Sequence, residues 1–228
     1  MIVVLALLGV VVGWLVSIAG DILIGYSGTP VPHPAPALRP PALWRVITRR
    51  AADRAVVAEA LLEVVSGIAF ALIYALHSDA AEMLWLLAAY AFFALITIMD
   101  YKYRVVLNIL TYPGVVIALV INVVVLRHPI LNIALGMFFA FGVFYLTAML
   151  RPGGLGGGDV KLATLLGAAF GFPHVLWVLI VSAAASAIVI IGLLTLRRQS
   201  PRQSIPYAPF LCLGAVIILI FSPMLNLP

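Results

Sequence analysis

Long apolar runs separated by short polar breaks dominate the chain, and the breaks define the elements. Runs at 2–20, 58–76, 83–99, 105–126, 130–150, 160–172, 175–196 and 207–221 read as helices. Most approach the length of about 20 residues that a helix needs to cross about 30 Å of hydrocarbon. The sixth run is short: at about 1.5 Å per residue it rises only about 20 Å. It reads as a tilted or recessed helix that lets water reach one end. The fold class expected is all-α, a polytopic membrane helical bundle of about eight transmembrane helices, or seven if the sixth run does not cross.

Composition sharpens this reading. Hydrophobic residues make up 65% of the 228 positions and charged residues only 9%, where a soluble domain carries about a quarter charged residues. A water-soluble globule is therefore excluded, in line with a mean hydropathy of +1.22. The first run follows Met1 directly, with no basic segment before it and no A-x-A exit, so it reads as a retained span. The single Cys212 excludes an internal disulfide and any multi-cysteine zinc site.

Charge then orients the spans. With the amino terminus outside, the inner loops hold Arg39, Arg45, Arg49, Arg50, Arg54, Lys102, Arg104, Arg151, Lys161, Arg197, Arg198 and Arg202, and only Arg127 falls outside. That asymmetry obeys the positive-inside rule and places both termini outside. The net charge of +5 is scattered over short loops, so nucleic acid is not an expected partner; the lipid bilayer is. The division expected is 1–24 as first transmembrane helix, 25–57 as a Pro/Arg-rich inner loop, and 58–228 as the main membrane domain. Within it, Pro30, Pro32, Pro34, Pro36, Pro40 and Pro41 make the stretch from Thr29 to Pro41 an extended, semi-rigid connector.

In so apolar a chain the eight acids are the informative positions. Asp79, Glu82 and Asp53 read as solvated. Asp21 ends the first run and reads as a cap or a partner for loop arginines, and Glu59 reads as interfacial. Glu63 lies about 7 Å inside the second run at helical rise; an intramembrane acid is a functional candidate, set against pairing with a loop arginine. Asp100 closes the third run, where the helix dipole disfavours an acid by roughly a few tenths of a kcal/mol or more and Lys102 and Arg104 offer compensation; taken alone it reads as a solvated interfacial acid.

Asp159 opens the sixth run. Capping would suit an Asp there, but capping does not explain the five glycines in the six residues Gly153-Gly154-Leu155-Gly156-Gly157-Gly158. Such a run suits a sharp bend or the close approach of another chain. It lacks the spacing of a phosphate-binding loop and follows no strand. The orientation puts Asp100 and Asp159 at the same inner face, at the ends of different helices. Two carboxylates brought close together share a proton, as acid–base hydrolysis by a pair of aspartates requires.

These residues carry a family likeness. Gly156-Gly157-Gly158-Asp159-Val160-Lys161 fits the GxGDxK string of the type IV prepilin peptidases, intramembrane aspartyl proteases, and the chain resembles that family. Asp100-Tyr101-Lys102-Tyr103-Arg104-Val105-Val106-Leu107-Asn108 through Pro113 is similar to the family's first-aspartate segment, with Leu107 where a proline is common. Leu62-Glu63-Val64-Val65-Ser66-Gly67 is similar to its E-L-x-[TS]-G, and Pro206-Tyr207-Ala208-Pro209-Phe210-Leu211 to its P-F-G-P-x-L. The likeness runs in order from about Glu63 to Gly214.

The resemblance implies a leader peptidase that cuts prepilin or pseudopilin precursors at the cytosolic face of the inner (plasma) membrane. Asp100 and Asp159 would be its catalytic pair. Gly156, Gly157, Gly158, Lys161, Glu63, Asn108, Pro206 and Pro209 would support the site. Many members carry two C-x-x-C pairs in the first loop, a zinc site linked to amino-methylation. Their absence here makes this resemble a short, peptidase-only form, with little support for methyltransferase activity. His77, His128 and His174 sit in separate turns and His33 stands alone, so no metal and no organic cofactor is expected. The competing readings are a small transporter with the acids as a proton relay, and a catalytically idle assembly scaffold. The acids cluster at one face instead of stepping through the bilayer, which weighs against the relay. Neither the individual substrate nor the oligomeric state is legible in the sequence.

Overall fold

The computed structural model describes residues 1–27, 39–48, 53–150, 155–195 and 206–221. The prolines at 30–36, His33, Arg49, Arg50, Arg151, Gly153, Gly154, Arg197, Arg198, Arg202 and Ile205 lie outside the described residues. All described elements are helical: α1 (Ile2–Tyr26), α2 (Ala42–Ile47), α3 (Arg54–Leu76), α4 (Ala80–Tyr103), α5 (Asn108–Val120), α6 (Ile130–Leu150), α7 (Gly157–Phe170), α8 (His174–Thr195) and α9 (Ala208–Phe221). A π-helical turn, Ile121–Val125, continues α5. Among the described residues six helices are long and apolar enough to cross a membrane, namely α1, α3, α4, α5 with its π turn, α6 and α8. The shorter α9 is apolar too, and α7 has 14 residues. The chain is a polytopic helical membrane protein.

Two differences from the apolar pattern matter for the site. The first helix runs on through Asp21 to Tyr26 instead of ending at residue 20, because the apolar residues beyond Asp21 extend its buried face, Ile24 included. The stretch 29–41 expected to be extended lies mostly outside the described residues, and a short helix, α2, forms just after Pro41. Proline is well tolerated at or before a helix start.

The chain divides into two compact units, Met1–Arg104 and Val105–Pro228. In the first unit α1 lies against α3 and α4. With lipid outside, apolar side chains give little net drive for helices to associate, and close backbone packing of small residues takes over. A Cβ on Gly9 or Gly13 would collide with the α3 backbone at Ser66 or Glu63, so the two helices can approach this closely only with glycine there. Ser66 Oγ and Tyr90 Oη, 2.9 Å apart, then join α3 to α4. The outward residues of α1, such as Val3, Leu7, Val11 and Leu15, are exposed, as a lipid-facing stripe should be.

In the second unit α7 is the buried element. Leu162, Ala163, Leu166 and Ala168 are fully buried, and α5, α6, α8 and α9 all pack on it. Gly167 meets Gly136 of α6 at a backbone crossing that would admit no Cβ on either. Asn122, in the π turn, donates from Nδ2 to the carbonyls of Ala168 (3.2 Å) and Ala169 (3.0 Å). Those carbonyls belong to the last turn of α7, where no helical N–H remains to satisfy them. His128 completes the link, with Nδ1 3.1 Å from Asn122 Oδ1.

Candidate active site

Asp159 lies in the first turn of α7, with Gly156 as the N-cap. It is therefore the third helical residue and not the cap itself. Its Oδ2 reaches back to accept the Gly156 N–H at 3.2 Å, and the Ala208 N–H at the start of α9 also donates to the carboxylate. Burial pushes the Asp159 carboxyl above the ordinary carboxylate range, and the two backbone donors oppose that shift.

The glycines around it do different jobs. A Cβ on Gly158 would sit 2.9 Å from Val106 Cβ, so this glycine is required by the approach of the segment that leads into α5. Among the described residues nothing lies within 4 Å of the place where a Gly157 Cβ would point, and Gly156 would meet little beyond the Asp159 carboxylate. Both are exposed. Among the described residues, then, little crowds the N-terminal side of Asp159.

Lys161 and Asn108 meet each other. Lys161 Nζ donates to Asn108 Oδ1 at 2.8 Å and stands 5.4 Å from the centroid of the Tyr112 ring. Together these pin the first turn of α5 to the first two turns of α7. Pro206 precedes α9 and Pro209 is its second residue. The turn between them presents the Ala208 N–H to Asp159, which gives both prolines a place in shaping the surroundings of that carboxylate.

Asp100 lies in the last turn of α4 and is buried, with 6% of its surface exposed. Arg104, in a left-handed conformation (φ 54°), closes the helix by donating its N–H to the Asp100 carbonyl at 2.8 Å. The neighbours of Asp100 along α4 are held firmly. Met99 is 1% exposed and packs where Gly20 of α1 lacks a side chain. Lys102 Nζ donates to Asp21 Oδ1 and to Glu59 Oε1, the latter at 2.8 Å. Tyr103 Oη donates to Asp21 Oδ1 at 2.6 Å.

Asp21 and Glu59 belong to a larger ionic cluster. Arg39 donates to Asp21 and to Glu59 Oε1, and Arg45 to Glu59 Oε2. Glu59 is 2% exposed, in the interior of a charge network. Asp21 does pair with a loop arginine, as expected, and with Lys102 as well. Among the described residues Glu63 partners no arginine: its Oε1 accepts the Ala42 N–H at 2.6 Å and its Oε2 the Leu43 N–H at 2.8 Å. It thus satisfies the first two orphan donors of α2 and fastens the first loop to α3. The cluster is hidden in the sequence because its members come from positions 21, 39, 45, 59 and 102. The one available signal is an acid four residues before Glu63, on the same face of α3.

Among the described residues no group of three or more His, Cys, Asp or Glu is placed to hold a metal ion. No curated protein and no solved structure gave a match. Residues 86–191, somewhat under half of the chain, match the model of the type IV leader peptidase family, Peptidase_A24. The matched segment contains Asp100, Asn108, the glycines at 156–158, Asp159 and Lys161, and its similarity to that model supports a place for the chain in the prepilin peptidase family.

Proposed function

We propose that the protein is an aspartic endopeptidase that removes the leader of prepilin or pseudopilin precursors at the cytosolic face of the inner membrane, with Asp100 and Asp159 as its catalytic pair. The observation that carries the reading is that one family-matched segment contains both aspartates, the second inside a GxGD string whose Gly156 and Gly157 are exposed. In this mechanism one carboxylate takes a proton from water as the water oxygen bonds to the scissile carbonyl carbon. The other carboxyl gives its proton to the carbonyl oxygen. As the tetrahedral intermediate collapses, the C–N bond breaks and a proton passes to the leaving amine.

Three features support these roles. The raised Asp159 carboxyl keeps its proton to higher pH than an ordinary aspartate, as a proton-sharing pair needs. The exposed backbone at Gly156 and Gly157 leaves room for an extended substrate chain beside the carboxylate. The basic residues counted in the sequence orient both aspartates toward the cytosol, where a basic leader would lie. No step calls for a cofactor.

The test is leader removal from a prepilin co-expressed in membranes, read as a mobility shift. Asp100→Asn and Asp159→Asn are each expected to lower the rate by about 10²–10⁴-fold or more, with normal accumulation of the protein in the membrane. Wild-type processing by either variant would remove the mechanism. Flux of protons or solute through liposomes without cleavage would favour a transporter, and a phenotype that survives loss of both aspartates would favour a scaffold.

A further inference from the structure

The cluster of Asp21, Arg39, Glu59, Arg45 and Lys102 is too elaborate for a loop attachment alone. Charge-assisted bonds and backbone caps converge on neighbouring turns of α3. Arg39 reaches both carboxylates, Arg45 adds a second bond to Glu59, and Glu63 holds the start of α2. The indole N–H of Trp14 adds an anchor on the Arg39 carbonyl at 2.9 Å. On the far side of the same two carboxylates stand Lys102 and Tyr103. These follow Asp100 at the end of α4, and Met99 precedes it in a slot against Gly20. The residues on either side of Asp100 are therefore fixed to α1 and α3, and through the carboxylates to the first loop.

We propose that this network is a latch: the segment 39–47 acts as a strap that sets the position of Asp100, and Asp21, Glu59 and Lys102 are positioning residues for peptide cleavage. The inference rests on the reading of Asp100 as catalytic. Its physical basis is that a buried charge pair tolerates little slack. Each carboxylate shares its oxygens among several cations, and removing one donor leaves the others to re-aim in a medium that solvates them poorly. Movement of the strap is thereby felt at Lys102, and a shift of Lys102 turns the helix end that carries Asp100.

The experiment uses the full chain in proteoliposomes with a synthetic substrate, a basic leader ending in Gly joined to an apolar helix. Lys102→Gln and Glu59→Gln are expected to lower kcat on the order of 10²-fold, with KM changed by less than about twofold, because misplacing a reacting group by about 1 Å has that size of effect. Lys102→Arg keeps the charge and restores most of kcat. A second readout does not depend on catalysis. In a Cys212→Ala background, Ala42→Cys places a thiol within the strap at a position 1% exposed. Glu59→Gln and Lys102→Gln are expected to speed its maleimide labelling by about tenfold or more, through easier local opening, and Lys102→Arg is not.

Full kcat in Lys102→Gln and Glu59→Gln, or a loss that Lys102→Arg fails to restore, overturns the latch. So does labelling at residue 42 that none of the variants alters. The two readings fail separately. An active Asp100→Asn removes the catalytic assignment and with it the latch's part in cleavage. An inactive Asp100→Asn beside a fully active Lys102→Gln removes the latch alone.

Discussion

The surroundings of the two aspartates are built by opposite means. Asp100 closes a helix of 24 residues, and the neighbouring turn is held by side chains: Lys102 and Tyr103 on the carboxylates of α1 and α3, Met99 against Gly20. Asp159 opens a helix of 14 residues and is held by main chain, through the N–H groups of Gly156 and Ala208. The helix dipole differs in the same sense. Its negative end lies at Asp100, where cations collect, and its positive end at Asp159, where none is needed. A side-chain network can be broken one residue at a time, whereas a main-chain site is sensitive mainly to backbone shape.

That contrast gives its strongest prediction at Glu59. Glu59→Leu deprives Arg45 of its carboxylate and leaves Arg39 and Lys102 with Asp21 alone. Breaking a buried pair in this way costs about 3–5 kcal/mol. About 3 kcal/mol is expected here, because Arg39 and Arg45 retain some solvent contact, with side chains 25% and 15% exposed. Unfolding in mixed detergent micelles measures it, and a loss under about 1 kcal/mol would erase the difference between the two regions.

A smaller effect separates the glycines. Gly158→Ala forces a Cβ against Val106, and overpacking of this kind costs about 1–3 kcal/mol. Gly157→Ala meets no described residue and should stay within about 0.5 kcal/mol of wild type in stability. If substrate backbone lies across Gly157, the same variant raises KM in the cleavage assay. Equal stability of the two alanine variants would contradict the steric assignment.

The subtlest effect is in pH. The folded-state pKa of Asp159 is raised above its unfolded value, so its contribution to stability is fully present below the unfolded pKa and is lost as pH rises through the folded one. Asp159→Asn removes that dependence. Stability of wild type relative to Asp159→Asn should therefore fall as pH is raised through and above the ordinary carboxylate range. Two parallel stability–pH curves would show that burial of this carboxyl has no net effect.

Much of this protein is legible in its amino-acid sequence. Helices, their apolar breaks and the membrane setting follow from hydropathy alone, since lipid leaves a spanning backbone no option but to satisfy itself within the helix. Both aspartates and the glycine string stand out because charge and consecutive glycines are scarce in such a chain. The helical continuation of α1 past Asp21 is not legible. An acid normally ends an apolar run, and here it is kept inside a helix by cations at positions 39 and 102. Glu59 and Glu63 illustrate the same limit. Two acids one turn apart on α3 look alike in sequence, yet one gathers arginines and a lysine while the other caps the loop helix α2.

Local composition thus determined which segments are helices, that they lie in a membrane, and which acids are worth attention, because those properties depend on neighbours in the chain. Tertiary structure alone decided what each acid touches. The partners of Asp21 and Glu59 are brought from positions 39, 45 and 102 by close packing of α1 on α3, and Asp159 meets the Ala208 amide because α9 starts against α7. Contacts between residues so far apart in the chain leave no periodic trace, and they arise only when the helices are packed.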